Sequence, residues 1–201
     1  MLFRSRAEVL APPLTEALIN ELKPVSDSWL RRMKGREKQF SMGGFDPDRM
    51  RHQTVALVRD QKGNLTAFAT VVGAEGCGVL GIDLMRTSQA CEPGSMDFLL
   101  IHVLQTFQER GEKRFSLGLA ALAGSGVDAD GRRSEQALTT LGRHLERFYA
   151  FRGLQAFKAK YASHWEPRYL AIPHLHQLYP AITALIRAES GETLWDYLRW
   201  D

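Results

Sequence analysis

The clearest pattern in the chain is a run of alternating apolar segments broken by turn residues. Thr54–Arg59 and Leu65–Val72 read as two strands, with Asp60-Gln61-Lys62-Gly63-Asn64 as the hairpin turn between them. After a turn over Gly73–Gly78, the run Val79-Leu80-Gly81-Ile82 opens a third strand, Val79–Leu84. Helical spacing takes over at Ser95–Arg110, with Phe98, Ile101, Leu104 and Phe107 as the expected inward face and Gly111 as the stop. Arg114–Ala120 then reads as a strand. Gly124–Arg133 is a glycine- and aspartate-rich loop, and Ser134–Phe151 is a helix with Leu138, Leu141, Leu145 and Phe148 inward. Gln155–Tyr161 and Arg168–Ile172 are expected as two late strands, and Leu175–Ala188 as the last helix.

Upstream of the strands the pattern is helical. Leu14, Leu18 and Leu22 recur at helical spacing up to Pro24, and a second helix is expected over Ser26–Met33. Residues 1–13, ending in Ala11-Pro12-Pro13, read as an arm, and Arg36–Pro47 as a mixed-charge turn segment. The whole is expected as one domain over residues 1–201, with a core at 14–188 and a tail at 189–201. The order is helices, three strands on short turns, helix, strand, helix, two strands. It predicts an α+β domain, a mixed sheet flanked by helices. That is also the element order of the Gcn5-related N-acyltransferase fold.

Composition narrows the picture modestly. The chain has 201 residues, 44% hydrophobic and 24% charged, which is ordinary for a folded domain. A net charge of +3 permits an anionic partner without requiring one. Cys77 and Cys91 form no metal-binding spacing and are expected as reduced thiols. His102, His144, His164, His174 and His176 show no metal spacing either. No apolar run approaches the roughly 20 residues that cross a bilayer.

Chemistry gathers first at Asp83 and Arg86. They follow the apolar run of the third strand, at its expected end, where a turn could bring both into one cleft. Asp83 could orient a hydroxyl or hold an amine, and Arg86 could bind phosphate or an oxyanion. The structural alternative is a salt bridge at a strand end. Asp97 reads as a first-turn helix carboxylate. The second concentration is basic: Arg143, Arg147, Arg152, Lys158, Lys160 and Arg168, interleaved with Phe148, Tyr149, Phe151, Phe157, Tyr161, Trp165 and Tyr169. Cations among stacking rings suit unpaired RNA ends and anionic head groups; the plain alternative is core aromatics beside solvated cations. Lys158 and Lys160 would share one strand face.

Seven stretches carry a resemblance. They are Gly35–Gly43, Asp83-Leu84-Met85-Arg86, Met96-Asp97, Phe115–Ala120, Phe148–Leu154, Phe157–Tyr161 and Trp165–Leu170. In this order, the sequence resembles the C-terminal catalytic domain of the lysylphosphatidylglycerol synthases. The resemblance implies transfer of lysine or alanine from an aminoacyl-tRNA to phosphatidylglycerol at the cytoplasmic membrane face. It implies Asp83 and Arg86 at the reaction centre, with Glu146, Arg147, Lys158, Lys160, Arg168 and Ser41 binding the substrates. The implied partners are the tRNA acceptor end, the anionic phospholipid and a preceding domain of a longer chain. No metal or coenzyme is implied beyond the charged tRNA.

Two other classes stay open. An acetyl-CoA-dependent N-acetyltransferase shares the element order. However, Thr87–Asp97 holds one glycine, a proline and two acids, a poor cradle for pyrophosphate. A non-catalytic module that docks tRNA or anionic lipid would use the same basic cluster. A serine hydrolase is disfavoured, since neither Ser41 nor Ser116 lies in a nucleophile elbow.

Overall fold

Five strands form one sheet in the order β1-β2-β3-β4-β5: β1 (Arg6–Leu10), β2 (Thr54–Arg59), β3 (Leu65–Val72), β4 (Leu80–Thr87) and β5 (Phe115–Ser116). The structure, a computed structural model, describes residues 5–33, 37, 43–74, 76, 78–120, 151–169 and 171–190. The chain divides into two compact units, residues 1–118 with 189–191 and residues 119–188 with 192–201. The sheet belongs to the first.

The β2–β3 hairpin and the core of β4 fall where their alternation predicts. Asp60 organises the hairpin turn, its carboxylate accepting from the backbone of Lys62 and Asn64 at 2.8 and 2.9 Å. The chain start differs from expectation: it is not an arm, because β1 pairs antiparallel with β2, from Arg6 opposite Arg59 to Leu10 opposite Val55. β4 pairs with β3 antiparallel and with β5 parallel. The parallel pairing covers only Leu80 with Phe115 and Gly81 with Ser116. Beyond Gly81, among the described residues, no strand pairs with that side of β4. β5 is thus two residues long, not the seven of the expected Arg114–Ala120.

One face of the sheet is covered by α1 (Glu16–Arg32) and α2 (Pro47–Arg51). Leu22, Val25, Met50, Val55, Leu57, Phe68 and Leu84 make its core. α1 replaces the two helices expected here: it runs through Pro24 without a break. A proline inside a helix costs about 3 kcal/mol. Burying Ile19, Leu22 and Val25, each at most 4% exposed, returns about 1.5–3 kcal/mol apiece, so packing outweighs the breaker. Thr15 caps the start by accepting from the Leu18 amide at 3.3 Å. The short α2 lies within what reads as turn-rich sequence. Asp46 caps it, Pro47 opens it, and Met50 anchors it in the core.

The other face is covered by α3 (Ser95–Glu109). Its buried face is Leu99, Leu100, Val103 and Phe107; of the four expected positions Phe107 is buried, Phe98 and Leu104 are half-buried, and Ile101 is exposed. The reason is rotational. Positions three apart drift by about 60° each step, so four of them sweep half the helix circumference, whereas spacings of one, three and four stay within one stripe.

The second unit contains α4 (Phe151–Ala159), a 3₁₀ turn (Leu175–Gln177) and most of α5 (Leu178–Ser190). α4 overlaps the expected strand Gln155–Tyr161, which is therefore corrected to a helix. Phe157, Ala159 and Tyr161 alternate with lysines and mimic a strand. Leu154, Phe157, Lys158 and Tyr161 also fit a helical stripe, and each of them is buried or half-buried. The described residues of Arg168–Ile172 form no strand. The expected loop at Gly124–Arg133, the helix Ser134–Phe151 up to residue 150, and the tail Glu192–Trp200 lie outside the described residues.

Candidate active site

Asp83 lies inside β4, which continues to Thr87, so that only Arg86, its penultimate residue, is near the strand end. In a regular strand, residues three apart point to opposite faces. Here the β3–β4 register shifts: Ala69 opposes Met85, while Val71 already opposes Ile82. β4 carries one extra residue at Asp83-Leu84, a β-bulge. Thr70, fully buried, accepts a hydrogen bond from the Leu84 amide on its hydroxyl at 2.9 Å, so a side chain stabilises the irregular step. The bulge turns Asp83, Leu84 and Arg86 toward the same helical layer. Leu84 joins the α1 core, Asp83 meets Gly43 and α2, and Arg86 meets α1.

The Asp83 carboxylate is half-buried, its side chain 13% exposed. Both its oxygens accept from the Gly43 amide, at 3.0 and 3.2 Å. A β-carbon at position 43 would collide with that carboxylate, so glycine there is what lets Asp83 approach the backbone. The Arg49 guanidinium, on α2, lies 3.8 Å away. Asp83 also sits just past the two residues where β4 and β5 pair, where that edge of the strand has no further partner among the described residues.

Arg86 has a different setting. It is 4% exposed, donates to Glu37 at 2.7 Å and stacks 4.0 Å from the Trp29 ring centroid. A charge-assisted bond and a cation–π contact hold the guanidinium in place. Glu37 in turn accepts from the Ser26 hydroxyl at 3.4 Å. One nitrogen of the guanidinium fork is committed to Glu37, whose charge would partly offset what Arg86 offers to a phosphate or an oxyanion.

Two stretches separate in sequence are therefore joined twice: Glu37 reaches Arg86, and Gly43 reaches Asp83. Glu37, Gly43, Trp29 and Arg49 had no site role in the sequence reading. The available signal was that Glu37 and Gly43 both lie in Gly35–Gly43, which reads as a turn. Ser41, Glu146 and Arg147 lie outside the described residues. In the second unit, Lys158 does not share a strand face with Lys160. It lies inside α4, 6% exposed, and donates to the Leu119 carbonyl at 3.0 Å. Burial holds its amine below the ordinary lysine value. Lys160 follows the helix, exposed, 5.2 Å from the Phe157 ring. Arg168 is exposed and paired with Glu166 at 2.8 Å. Among the described residues no group of three metal-ligating side chains converges, and no helix is long and apolar enough to cross a membrane.

An antiparallel meander, a short parallel pair and helices on both faces make a mixed α+β sheet of the Gcn5-related acyltransferase-like fold. Within that class, the family described as "Phosphatidylglycerol lysyltransferase, C-terminal" matches residues 4–172, and the chain belongs to it. The phosphatidylglycerol lysyltransferase of Bacillus subtilis is 36% identical over 160 residues, covering 80% of this chain and 18% of that protein. Its counterpart in Staphylococcus epidermidis is 31% identical over 181 residues, covering 90% and 21%. The chain thus spans about a fifth of the length of the curated relatives it matches. Two solved structures are similar throughout. One is the C-terminal domain of a protein assigned as a lysylphosphatidylglycerol synthetase from Agrobacterium fabrum (TM-score 0.79, 38% identity, 96% of this chain and 57% of that one). The other is L-PGS from Bacillus licheniformis (TM-score 0.74, 31% identity, 94% and 55%).

Proposed function

We propose that this domain transfers an aminoacyl group, lysine or alanine, from an aminoacyl-tRNA to phosphatidylglycerol at the cytoplasmic face of the membrane. Membership of the family supports lipid aminoacylation, and the observation that carries the residue-level reading is the setting of Asp83. A half-buried carboxylate, fixed by one backbone amide, stands just past the residues where β4 and β5 pair. The reaction exchanges one ester for another. A glycerol hydroxyl oxygen bonds to the aminoacyl carbonyl carbon, and the bond to the ribose oxygen breaks. The proton lost by the glycerol is balanced by the one the ribose oxygen gains. Asp83 accepts the first proton, or holds the donor's α-ammonium group beside the attacked carbon. The ester linkage supplies the driving force, so this reading calls for no coenzyme.

In the same proposal, Lys160 and Arg168 meet the phosphates of the tRNA end. Lys158 holds the segment at Leu119, and Ser41, Glu146 and Arg147 complete substrate binding. A preceding domain of a longer chain belongs to the proposal as well. The test is transfer of radiolabelled lysine or alanine from charged tRNA to phosphatidylglycerol vesicles. The wild-type chain labels the lipid, and Asp83→Ala lowers the rate by about 100-fold or more while keeping its circular dichroism. Full activity in the folded variant removes Asp83 from the mechanism.

A further inference from the structure

Among the described residues, the cation that faces the Asp83 carboxylate from the α2 side is Arg49, 3.8 Å away. We propose that Arg49 binds the phosphodiester of the lipid acceptor and so sets the glycerol hydroxyl against Asp83. This rests on the lipid-aminoacylation reading and adds a residue to it.

Three observations carry it. First, the Arg49 side chain is 52% exposed, and its guanidinium stands 3.8 Å from Asp83, longer than a charge-assisted hydrogen bond of about 2.7–2.9 Å. Among the described residues its guanidinium makes no hydrogen bond within that range, and the planar fork can take two oxygens of one phosphate. Second, Arg51 on the same helix is saturated, by Glu16 at 2.7 Å and Asp48 at 3.2 Å. Asp46 is likewise occupied, capping the Arg49 amide at 2.9 Å. The two nearby acids on α2's flank are thus spent on other partners. Third, Gly43 makes room for both charges: a β-carbon there would meet the Asp83 carboxylate and lie 3.0 Å from the Arg49 guanidinium. The carboxylate and the guanidinium share one glycine floor.

The short spacing favours the lipid over the RNA. A glycerol phosphodiester is a flexible chain that can fold its phosphate and its free hydroxyl onto neighbouring groups. In the aminoacyl-tRNA the reacting ribose oxygen is already esterified, so the free hydroxyl from which Asp83 can accept a proton belongs to the lipid.

The test uses glycerophosphoglycerol, the deacylated head group, titrated calorimetrically against the chain. Arg49→Gln weakens binding by about tenfold or more, Arg49→Lys by less, and Arg51→Gln leaves it unchanged. In turnover, Arg49→Gln raises KM for phosphatidylglycerol with kcat nearly constant. Unchanged head-group binding in Arg49→Gln, equal loss in Arg51→Gln, or no binding by the wild type overturns the assignment. So does a variant that loses affinity for a tRNA acceptor minihelix but keeps it for the head group. Wild-type binding that depends on Arg49, without any transfer from charged tRNA, leaves the assignment standing and sinks the aminoacylation reading instead.

Discussion

The two faces of the sheet are built on different chemistry. Toward α3 the strands present Ala56, Val58, Ala67, Ala69 and Val71, met by Leu99, Leu100, Val103 and Phe107, all buried. Toward α1 and α2 the same strands carry an apolar centre, but β4 adds Asp83 and Arg86, and the helices add Trp29, Ser26 and Arg49 around them. One face is hydrocarbon held by area; the other surrounds a charged row held by individual bonds. Apolar packing and the charged cluster thereby lie on opposite sides of one sheet, with β4 belonging to both.

That division can be broken by paired substitutions. Leu99→Ala opens a cavity on the apolar face and is expected to lower stability by about 2–5 kcal/mol. Glu37→Gln removes the negative charge that faces buried Arg86, leaving only a neutral acceptor, and is expected to lower stability by about 1.5–3 kcal/mol. Denaturant melts give both values, and aminoacyl transfer below the transition separates them. Leu99→Ala keeps its kcat, and Glu37→Gln loses several-fold. Equal kcat losses would show that the two faces are not independent.

A smaller effect sharpens the charged side alone. Gly43→Ala places a methyl against the Asp83 carboxylate, which must turn away. Since a side-chain end moves and not the backbone, the melt should shift little while kcat falls about tenfold. A variant with full activity would show that the amide at position 43 does not position the acid.

Smaller still is a pH effect in the second unit. Lys158 is buried, and its folded pKa lies below the ordinary value of 10.5. Between the two values the unfolded chain binds more protons than the folded one, so stability rises as pH increases through the folded pKa toward the unfolded one. Lys158→Met should flatten that rise in thermal melts between neutral and alkaline pH. An identical slope in wild type and variant would assign it to other groups.

The β2–β3 hairpin, the core of β4 and the extent of α3 were legible because each is regular: strict alternation for the strands, capped helical spacing for α3. What was hidden depends on distant contacts. Pro24 reads as a stop, and only the packing of Ile19, Leu22 and Val25 carries α1 through it. Phe157–Tyr161 satisfies a period of two and a helical stripe equally well, and the lysine at 158 on the inward side disguises the helix. At the site, Asp83 and Arg86 were visible as residues, but their shared direction was not. A bulge leaves no mark in an apolar pattern, and the partners Glu37 and Gly43 lie 49 and 40 positions away.

The buried hydroxyl of Thr70 has a part to play in keeping time along β4. It grips the amide of Leu84 where the ladder skips a beat. Were the strand to slide by a single residue and absorb the skip, every side chain beyond it would swap sides. The acid would then press into the hydrocarbon beneath α3, and a leucine would take its place among the charges. One buried oxygen atom thus keeps the Asp83 carboxylate on the side of the sheet that carries Gly43 and Arg49.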